Sequence, residues 1–336
     1  MEKFWKNFWW IIIVVAVIGG FIFWQSNNNQ NQVSKVSMET EMEVSELRVG
    51  YMTSWAEGAL PSEVMRESGI AEKNDLNIKY EKFQYGPPMV EAALANKIDL
   101  FFVGWVPAVN LMTKSDDWMI IGKNSYFPME VMARTDSGIS KITDLEGKRL
   151  GIPYATGPYP VVINSLKNSD LEPGKDVEIV NIKPTEMGAA LQTSQVDAIA
   201  WGEPMLTLFK QKNLAYTIEE YDDISFILIS KTFAEKNPEE VKKFMKAFKE
   251  SQFYLSENKK QAFEWFSEES QFDISLVESL KFNEPNFNVK SIEDVDMSIS
   301  QEWIEKTQEK IDFEFSEKII DKKINIKENI DQSYLF

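Results

Sequence analysis

Residues 93–107 read ALANKIDLFFVGWVP, and residues 190–204 repeat the same plan as ALQTSQVDAIAWGEP. Each stretch runs from helical residues through a polar turn with an Asp into a short apolar run, and then to Trp and Pro. A continuous apolar run between helices is typical of a parallel strand that is covered on both faces. The repeat therefore predicts an α/β fold of two lobes, each with a Trp at the carboxyl end of a strand. Because open α/β sheets bind ligands at that end, we expect a ligand cleft between the lobes.

The composition narrows the functional classes. A length of 336 residues suffices for two domains of ordinary size. The net charge of −17 argues against nucleic acid as a partner, because phosphate backbones are bound by clustered Lys and Arg. The chain contains no Cys and no His, which removes thiol nucleophiles, the usual zinc ligands and the most common general base. We therefore expect no metal site, no cofactor and no enzyme activity.

Residues 8–24 (FWWIIIVVAVIGGFIFW) form an uncharged apolar stretch near the lower length limit for a membrane span. Lys3 and Lys6 precede it, so the positive-inside rule places the start of the chain in the cytoplasm and the rest outside. We predict an uncleaved membrane anchor over residues 1–24 and a flexible linker over residues 25–46. The alternative is a cleaved signal peptide, although no small-residue cleavage site follows the apolar stretch.

The order of strand and helix patterns predicts how the two lobes are built. The first lobe is expected to be discontinuous, with residues 47–133 and 230–336, and the second lobe to consist of residues 134–229. The chain would then cross between the lobes twice, near residues 130–137 and 225–231. Two such crossings form a hinge, and a hinge permits closure over a ligand.

The C-terminal part of the chain carries no signal of a site. An apolar strand is predicted over residues 221–230, and Asn237 then caps a helix that has Pro238 at its first position. The last hundred residues are rich in Lys and Glu and are predicted to be almost wholly helical. We expect these helices to pack back on the first lobe.

The predicted cleft is lined by segments that follow strands or begin helices. The turn at Thr156 and Gly157 precedes a helix whose free N–H groups could bind an anion, although plain helix capping is the alternative reading. Glu203 would repel a simple anion and suits a ligand with an amine, whereas a hinge or interlobe salt bridge is its structural alternative. The predicted ligand-binding residues are Ser54, Trp55, Tyr85, Gly86, Trp105, Thr156, Gly157, Tyr159, Trp201 and Glu203.

Four motifs connect the chain to a known family. They are FQYGP at residues 83–87, KID at 97–99, ITDLEGKRLG at 142–151 and QVDAIAWGEP at 195–204. With these motifs the chain resembles the extracytoplasmic solute-binding proteins of the aliphatic sulfonate, taurine and nitrate type, a superfamily that also includes binders of thiamine pyrimidine precursors. The resemblance implies a type 2 periplasmic-binding-protein fold and delivery of a small molecule to the permease subunits of an ABC transporter.

The resemblance also sets the remaining expectations. The family's usual lipid-attachment Cys is missing, so we expect the N-terminal helix to hold the protein at the cell membrane, with the binding domain outside the cytoplasm. We also expect the protein to be a monomer. An aliphatic sulfonate such as taurine is the first choice of ligand, and a thiamine pyrimidine precursor or nitrate is the alternative. A pyrimidine synthase of the same superfamily would need a Cys-rich segment and a reactive His. This chain contains neither Cys nor His, which argues against that enzyme. A membrane-tethered sensor would need a signalling domain, and none is recognised before Phe336.

Overall fold

The strands of the protein form one mixed sheet whose order follows the predicted lobes. The computed structural model describes residues 45–335, and within this range eight strands are hydrogen-bonded in the order β2-β1-β3-β8-β4-β7-β5-β6. The strands are β1 (Leu47–Met52), β2 (Ile78–Phe83), β3 (Leu100–Gly104), β4 (Trp118–Arg134), β5 (Arg149–Gly151), β6 (Glu178–Val180), β7 (Ala198–Gly202) and β8 (Ala215–Ser230).

Helices cover this sheet and connect its strands. They are α1 (Ala56–Glu67), α2 (Ile70–Lys73), α3 (Gly86–Leu94), α4 (Trp105–Lys114), α5 (Pro158–Asn168), α6 (Met187–Gln192), α7 (Met205–Gln211), α8 (Lys231–Lys236), α9 (Pro238–Glu257), α10 (Lys259–Ser270), α11 (Ile274–Glu278) and α12 (Gln301–Ser316). Within residues 45–335, no helix is long and apolar enough to cross a membrane. The predicted anchor and nearly all of the predicted linker lie outside the described residues.

The two echoing stretches form matching buried strands, as predicted. β3 pairs in parallel with β1, and β7 pairs in parallel with β5. All five residues of β7 are buried, and so are the first four of β3. β1, β2 and β3 thus belong to the first lobe, and β5, β6 and β7 belong to the second.

The Asp of each echoing stretch ties two strands together at the end of the sheet opposite the cleft. Asp99 accepts hydrogen bonds from the backbone N and from Nε of Arg48, at 3.0 and 2.7 Å. Asp197 accepts the same two bonds from Arg149, at 3.0 and 3.3 Å. The Asp of each repeat is therefore structural, because it fixes the amino end of a parallel strand pair.

Two long antiparallel strands carry the chain between the lobes. β4 and β8 pair along nearly their whole lengths. One end of β8 pairs with β3 of the first lobe, and one end of β4 pairs with β7 of the second lobe. The sequence predicted only the second half of β8 and did not predict β4 as a strand. The exact boundaries of the predicted lobes stay a prediction.

Of the C-terminal helices, α9 packs on the first lobe, whereas α12 also contacts α5 of the second lobe. The ring of Phe248 on α9 stacks on that of Phe102 in β3, with centroids 4.9 Å apart. The prediction of an almost wholly helical C-terminal part is wrong for residues 279–300, which contain only short 3₁₀ turns. In this segment Pro285 opens a 3₁₀ turn and Phe287 is buried, so core contacts rather than helical hydrogen bonds hold the backbone.

Candidate functional site

A cavity lies where the carboxyl ends of β1, β3 and β7 meet the start of helices from both lobes. Its volume is about 60 Å³, enough for a few water molecules or for the head group of a small solute. The position agrees with the general rule for ligand sites in open α/β sheets. The lining residues are Met52, Trp55, Gly86, Val103, Gly104, Pro107, Phe127, Met129, Thr156, Gly157, Pro158, Trp201 and Gly202.

Five of the ten predicted ligand-binding residues line this cavity, and they come from both lobes. They are Trp55, Gly86, Thr156, Gly157 and Trp201. The polypeptide therefore brings together residues that lie as far as 146 positions apart in sequence, from 55 to 201. The other five predicted residues do not line the cavity.

The two indole rings in the cavity wall have unused hydrogen-bond donors. Trp55 and Trp201 are 7% and 8% exposed, and neither indole N–H has an acceptor among the residues that the structure describes. The Trp55 ring meets the ring of Phe127 edge to face, with centroids 4.5 Å apart, which fixes its orientation. A buried N–H without a partner is costly, and the N–H of Trp55 lies near the Glu57 carboxyl group.

The N-terminus of α5 has fewer hydrogen-bond donors free to bind an anion than its sequence predicts. The hydroxyl of Thr156 donates to the carbonyl oxygen of Pro153 at 2.6 Å, and the N–H of Tyr159 donates to the carbonyl oxygen of Thr156 at 3.1 Å. Gly157 remains beside the cavity, and a Cβ at this position would lie only 3.0 Å from Oδ2 of Asp223. A buried carboxylate thus already occupies the surroundings of this helix N-terminus.

Asp223 is a residue near the site that the sequence analysis missed. It is fully buried on β8, and its Oδ1 accepts a hydrogen bond from Nζ of Lys310 on α12 at 2.9 Å. Burial raises the pKa of Asp223, while the ion pair with Lys310 opposes this rise. The pattern YDDISFILIS places acidic residues before an apolar strand, but nothing in it shows that this Asp is buried.

Comparisons with known proteins agree with this architecture. The model of the NMT1/THI5-like family matches residues 120–262. A putative aliphatic sulfonates-binding protein of Bacillus subtilis (strain 168) is 27% identical over 304 residues, which cover 87% of this chain and 88% of the relative. The taurine-binding periplasmic protein of Escherichia coli (strain K12) is 28% identical over 209 residues, covering 59% of this chain and 63% of the relative.

A solved structure gives the same fold. The alkanesulfonate-binding protein SsuA from Xanthomonas axonopodis pv. citri, bound to MOPS, superposes with a TM-score of 0.70 at 18% identity and covers 85% of this chain and 98% of that chain. The chain is thus similar in sequence to proteins named for the binding of aliphatic sulfonates and taurine, and it has the fold of a solved alkanesulfonate-binding protein. The family resemblance and the two-lobed α/β fold predicted from the sequence are therefore confirmed.

The predicted residues outside the cavity have other partners in the structure. Trp105 is fully buried, with Nζ of Lys310 5.4 Å from its ring centroid. Ser54 donates its hydroxyl to the carbonyl oxygen of Gln84. Tyr85 packs against the apolar cluster that contains Trp201, and the ring of Tyr159 lies 5.0 Å from that of Tyr154.

Glu203 caps its own helix. Its two carboxylate oxygens accept hydrogen bonds from the backbone N and the hydroxyl of Thr207, at 3.0 and 2.7 Å. Burial raises the pKa of Glu203, and the two bonds from Thr207 oppose the rise. The structure thus gives this carboxylate a structural partner, while its predicted contact with a ligand amine stays a prediction.

The chemistry of the wall limits what the cavity can hold. In the described part of the chain no charged side chain lines it, and no group of three or more His, Cys, Asp or Glu is placed to hold a metal ion. The wall is made of rings, apolar side chains and glycine backbone. Such a wall suits a small solute that has an apolar body and an acceptor-rich end.

Proposed function

We propose that this chain is the extracytoplasmic substrate-binding component of an ABC transporter and that it captures an aliphatic sulfonate of the taurine type in the cavity between its lobes. The observation that carries the proposal is the convergence of Trp55 and Trp201, one from each lobe, in one apolar cavity, with the indole N–H of Trp201 unpaired. A sulfonate supplies several acceptor oxygens for this donor, and its alkyl part fits the apolar wall. The names of the homologous sulfonate-binding and taurine-binding proteins support the same ligand class.

The role that we propose is binding without catalysis. The whole chain lacks Cys and His, so a reaction would have to use carboxylates, Lys, Tyr or Ser. The two-lobed fold suits capture and release of a solute instead. The lobes can close over the cavity by a change in backbone conformation at β4 and β8 alone, the two strands that connect them. The released solute would then pass to the permease subunits of the transporter.

We further propose that the N-terminal apolar stretch holds the protein at the membrane, with its lobes outside the cytoplasm. The charges before residues 8–24 and the absence of any Cys for lipid attachment support this arrangement. Mass spectrometry of the protein isolated from its native membrane should find the first residues still attached. A mature N-terminus between residues 25 and 33 would instead show a cleaved signal peptide.

Titration calorimetry of the full-length chain tests the proposed ligand class. Taurine and ethanesulfonate share the sulfonate group, and only taurine carries an amine, so together they separate the two ends of the ligand. Nitrate tests a small anion, and an aminopyrimidine tests ring stacking between the indoles. We expect the two sulfonates to bind and to be recovered unchanged. Binding of the aminopyrimidine alone would assign the cavity to a pyrimidine instead.

A further inference from the structure

Glu57 is a buried carboxyl group that neither the fold nor the proposed ligand site explains. It lies in the first turn of α1, directly after the cavity residue Trp55 and the helical residue Ala56. It is 0% exposed, and neither of its carboxylate oxygens accepts a hydrogen bond from any residue between 45 and 335. An ionised carboxylate in such surroundings is strongly disfavoured.

Glu57 lies beside a contact between the two lobes. The N–H of Ala56 donates to the carbonyl oxygen of Glu203 at 3.4 Å, which joins the start of α1 to the end of β7. On the same boundary, Cδ1 of Trp55 lies 4.0 Å from the position that a Cβ on Gly202 would take. The Glu57 carboxyl group is therefore next to the boundary that a separation of the lobes would open.

The group that faces Glu57 from the second lobe is also acidic. The Glu203 carboxylate is 6% exposed and is held in place by Thr207. Burial raises the pKa of Glu57 well above its ordinary value, and the charge of Glu203 adds to this rise. The backbone N–H of Glu57 and the indole N–H of Trp55 lie near enough to offset part of it, although neither makes a hydrogen bond of normal geometry.

Cations on the elements around Glu57 are engaged with other acids. α1 packs against α2, α9, α10, β1 and β4, and its boundary with the second lobe lies beside α7. The ion pairs on these elements are Arg48–Asp99, Arg66–Glu63, Arg66–Glu67, Arg66–Glu269, Lys73–Glu250, Lys123–Glu284, Arg134–Asp136, Arg134–Asp197, Lys210–Glu130, Lys242–Glu239, Lys243–Glu240, Lys246–Glu250 and Lys260–Glu264. Lys259 of α10 instead donates to Oδ1 of Asn288 at 2.5 Å.

We propose that Glu57 takes up one proton from water when the lobes close over the solute, so that solute affinity depends on pH. With the lobes apart, the carboxyl group is hydrated and ionised at neutral pH; with the lobes together, it is dry and faces Glu203. Closure above the ordinary pKa of a Glu therefore needs a proton, and the proton raises affinity as pH falls. The inference rests on the proposed function only in that a solute closes the cleft.

The test is the dissociation constant of ethanesulfonate for the full-length chain, measured by calorimetry between about pH 5 and about pH 8. The charge of this sulfonate is constant over that range, so any pH dependence of the dissociation constant comes from the protein. We expect the dissociation constant to rise by up to about tenfold per pH unit in the wild type, and about one proton to be taken up per bound solute. The Glu57→Gln variant should bind with little pH dependence and should bind more tightly than the wild type near pH 8.

Glu63 provides a matched control on the same helix. It is as buried as Glu57, and its partner Arg66 and the nearby Glu269 belong to the same lobe. Burial raises the pKa of Glu63 to about 7, while Arg66 opposes the rise. Because closure leaves these surroundings unchanged, Glu63→Gln should keep the wild-type slope. A flat wild-type profile, or a Glu57→Gln profile that keeps the slope, would overturn the proposal.

A measurement without ligand separates this inference from the ligand assignment. If no sulfonate binds at any pH, the ligand class is wrong, and the protonation of Glu57 is then read from lobe closure without a solute. Because closure takes up a proton, a fall in pH favours the closed arrangement of the lobes. The radius of gyration of the ligand-free wild type, measured by small-angle X-ray scattering, should therefore decrease from about pH 8 to about pH 5, whereas that of Glu57→Gln should change little. A wild-type radius of gyration that does not change with pH would contradict the proposal.

Discussion

Replacing Trp201 with Ala is expected to weaken sulfonate binding by about 100-fold or more, because the change removes a ring wall and a free donor together. The ring lies in the cavity wall, and its N–H has no acceptor in the described residues. The variant Trp201→Phe keeps most of the ring and removes the N–H, so it should lose about tenfold. Titration calorimetry of both variants with taurine and ethanesulfonate separates the two contributions.

Trp265 offers a control for the loss of a large aromatic side chain. It lies on α10 in the first lobe, where it stacks on Tyr254 with ring centroids 5.9 Å apart, and it does not line the cavity. Trp265→Ala should leave the dissociation constant within about twofold of wild type, even where it lowers the melting temperature. Unchanged affinity of Trp201→Ala would place the ligand elsewhere.

Replacing Gly157 with Leu is expected to abolish detectable binding. A Cβ at this position would lie 3.0 Å from Oδ2 of Asp223 and 3.4 Å from Sδ of Met129, and the rest of a Leu side chain would have to enter the cavity. Overpacking of this kind displaces its neighbours and closes the space that the solute needs. We expect an affinity loss of at least about 100-fold by calorimetry, with circular dichroism to verify the fold.

Gly104 is the control for this substitution. It lines the same cavity, but a Cβ there would meet its nearest neighbour, Cζ of Phe127, at an ordinary contact distance of 3.8 Å. Gly104→Ala should therefore change affinity by no more than about threefold, which is less than 1 kcal/mol. If Gly157→Leu folds and binds taurine as the wild type does, the proposed position of the solute is wrong.

The sequence predicted those strands whose apolar pattern is continuous. β3 and β7 were predicted because each is a short buried run between helices. β4 was missed because Lys123, Asn124 and Ser125 interrupt its apolar pattern. All three are buried, and Lys123 forms a 2.7 Å ion pair with Glu284, which is 161 positions further along the chain. A partner at such a separation is invisible to a local pattern.

The sequence repeat predicted equivalent positions for Trp105 and Trp201, but only Trp201 lines the cavity. Trp201 lies within β7, whereas Trp105 is the first residue of α4. A change from strand to helix turns the side chain in another direction, so one ring lines the cavity and the other is buried beside Lys310. Local spacing therefore predicted the strand ends correctly without fixing where each ring points.

Glu57 and Asp223 could not be predicted as parts of the site, because their surroundings come from distant segments. Glu57 follows Trp55 and Ala56 in a helix start that reads as an ordinary acidic first turn. Residue 203 of the other lobe bonds to the neighbouring Ala56, and Lys310 from α12 pairs with Asp223. Only the assembled fold shows that both carboxyl groups are dry.

The most direct test of the proposed ligand class is a side-by-side calorimetric titration of the full-length wild-type chain with taurine, ethanesulfonate and nitrate. We expect saturable binding of one sulfonate per chain and no measurable binding of nitrate, since so small an anion has no apolar part to contact the indole rings and the apolar wall. Binding of nitrate with no binding of either sulfonate would contradict the proposed ligand class.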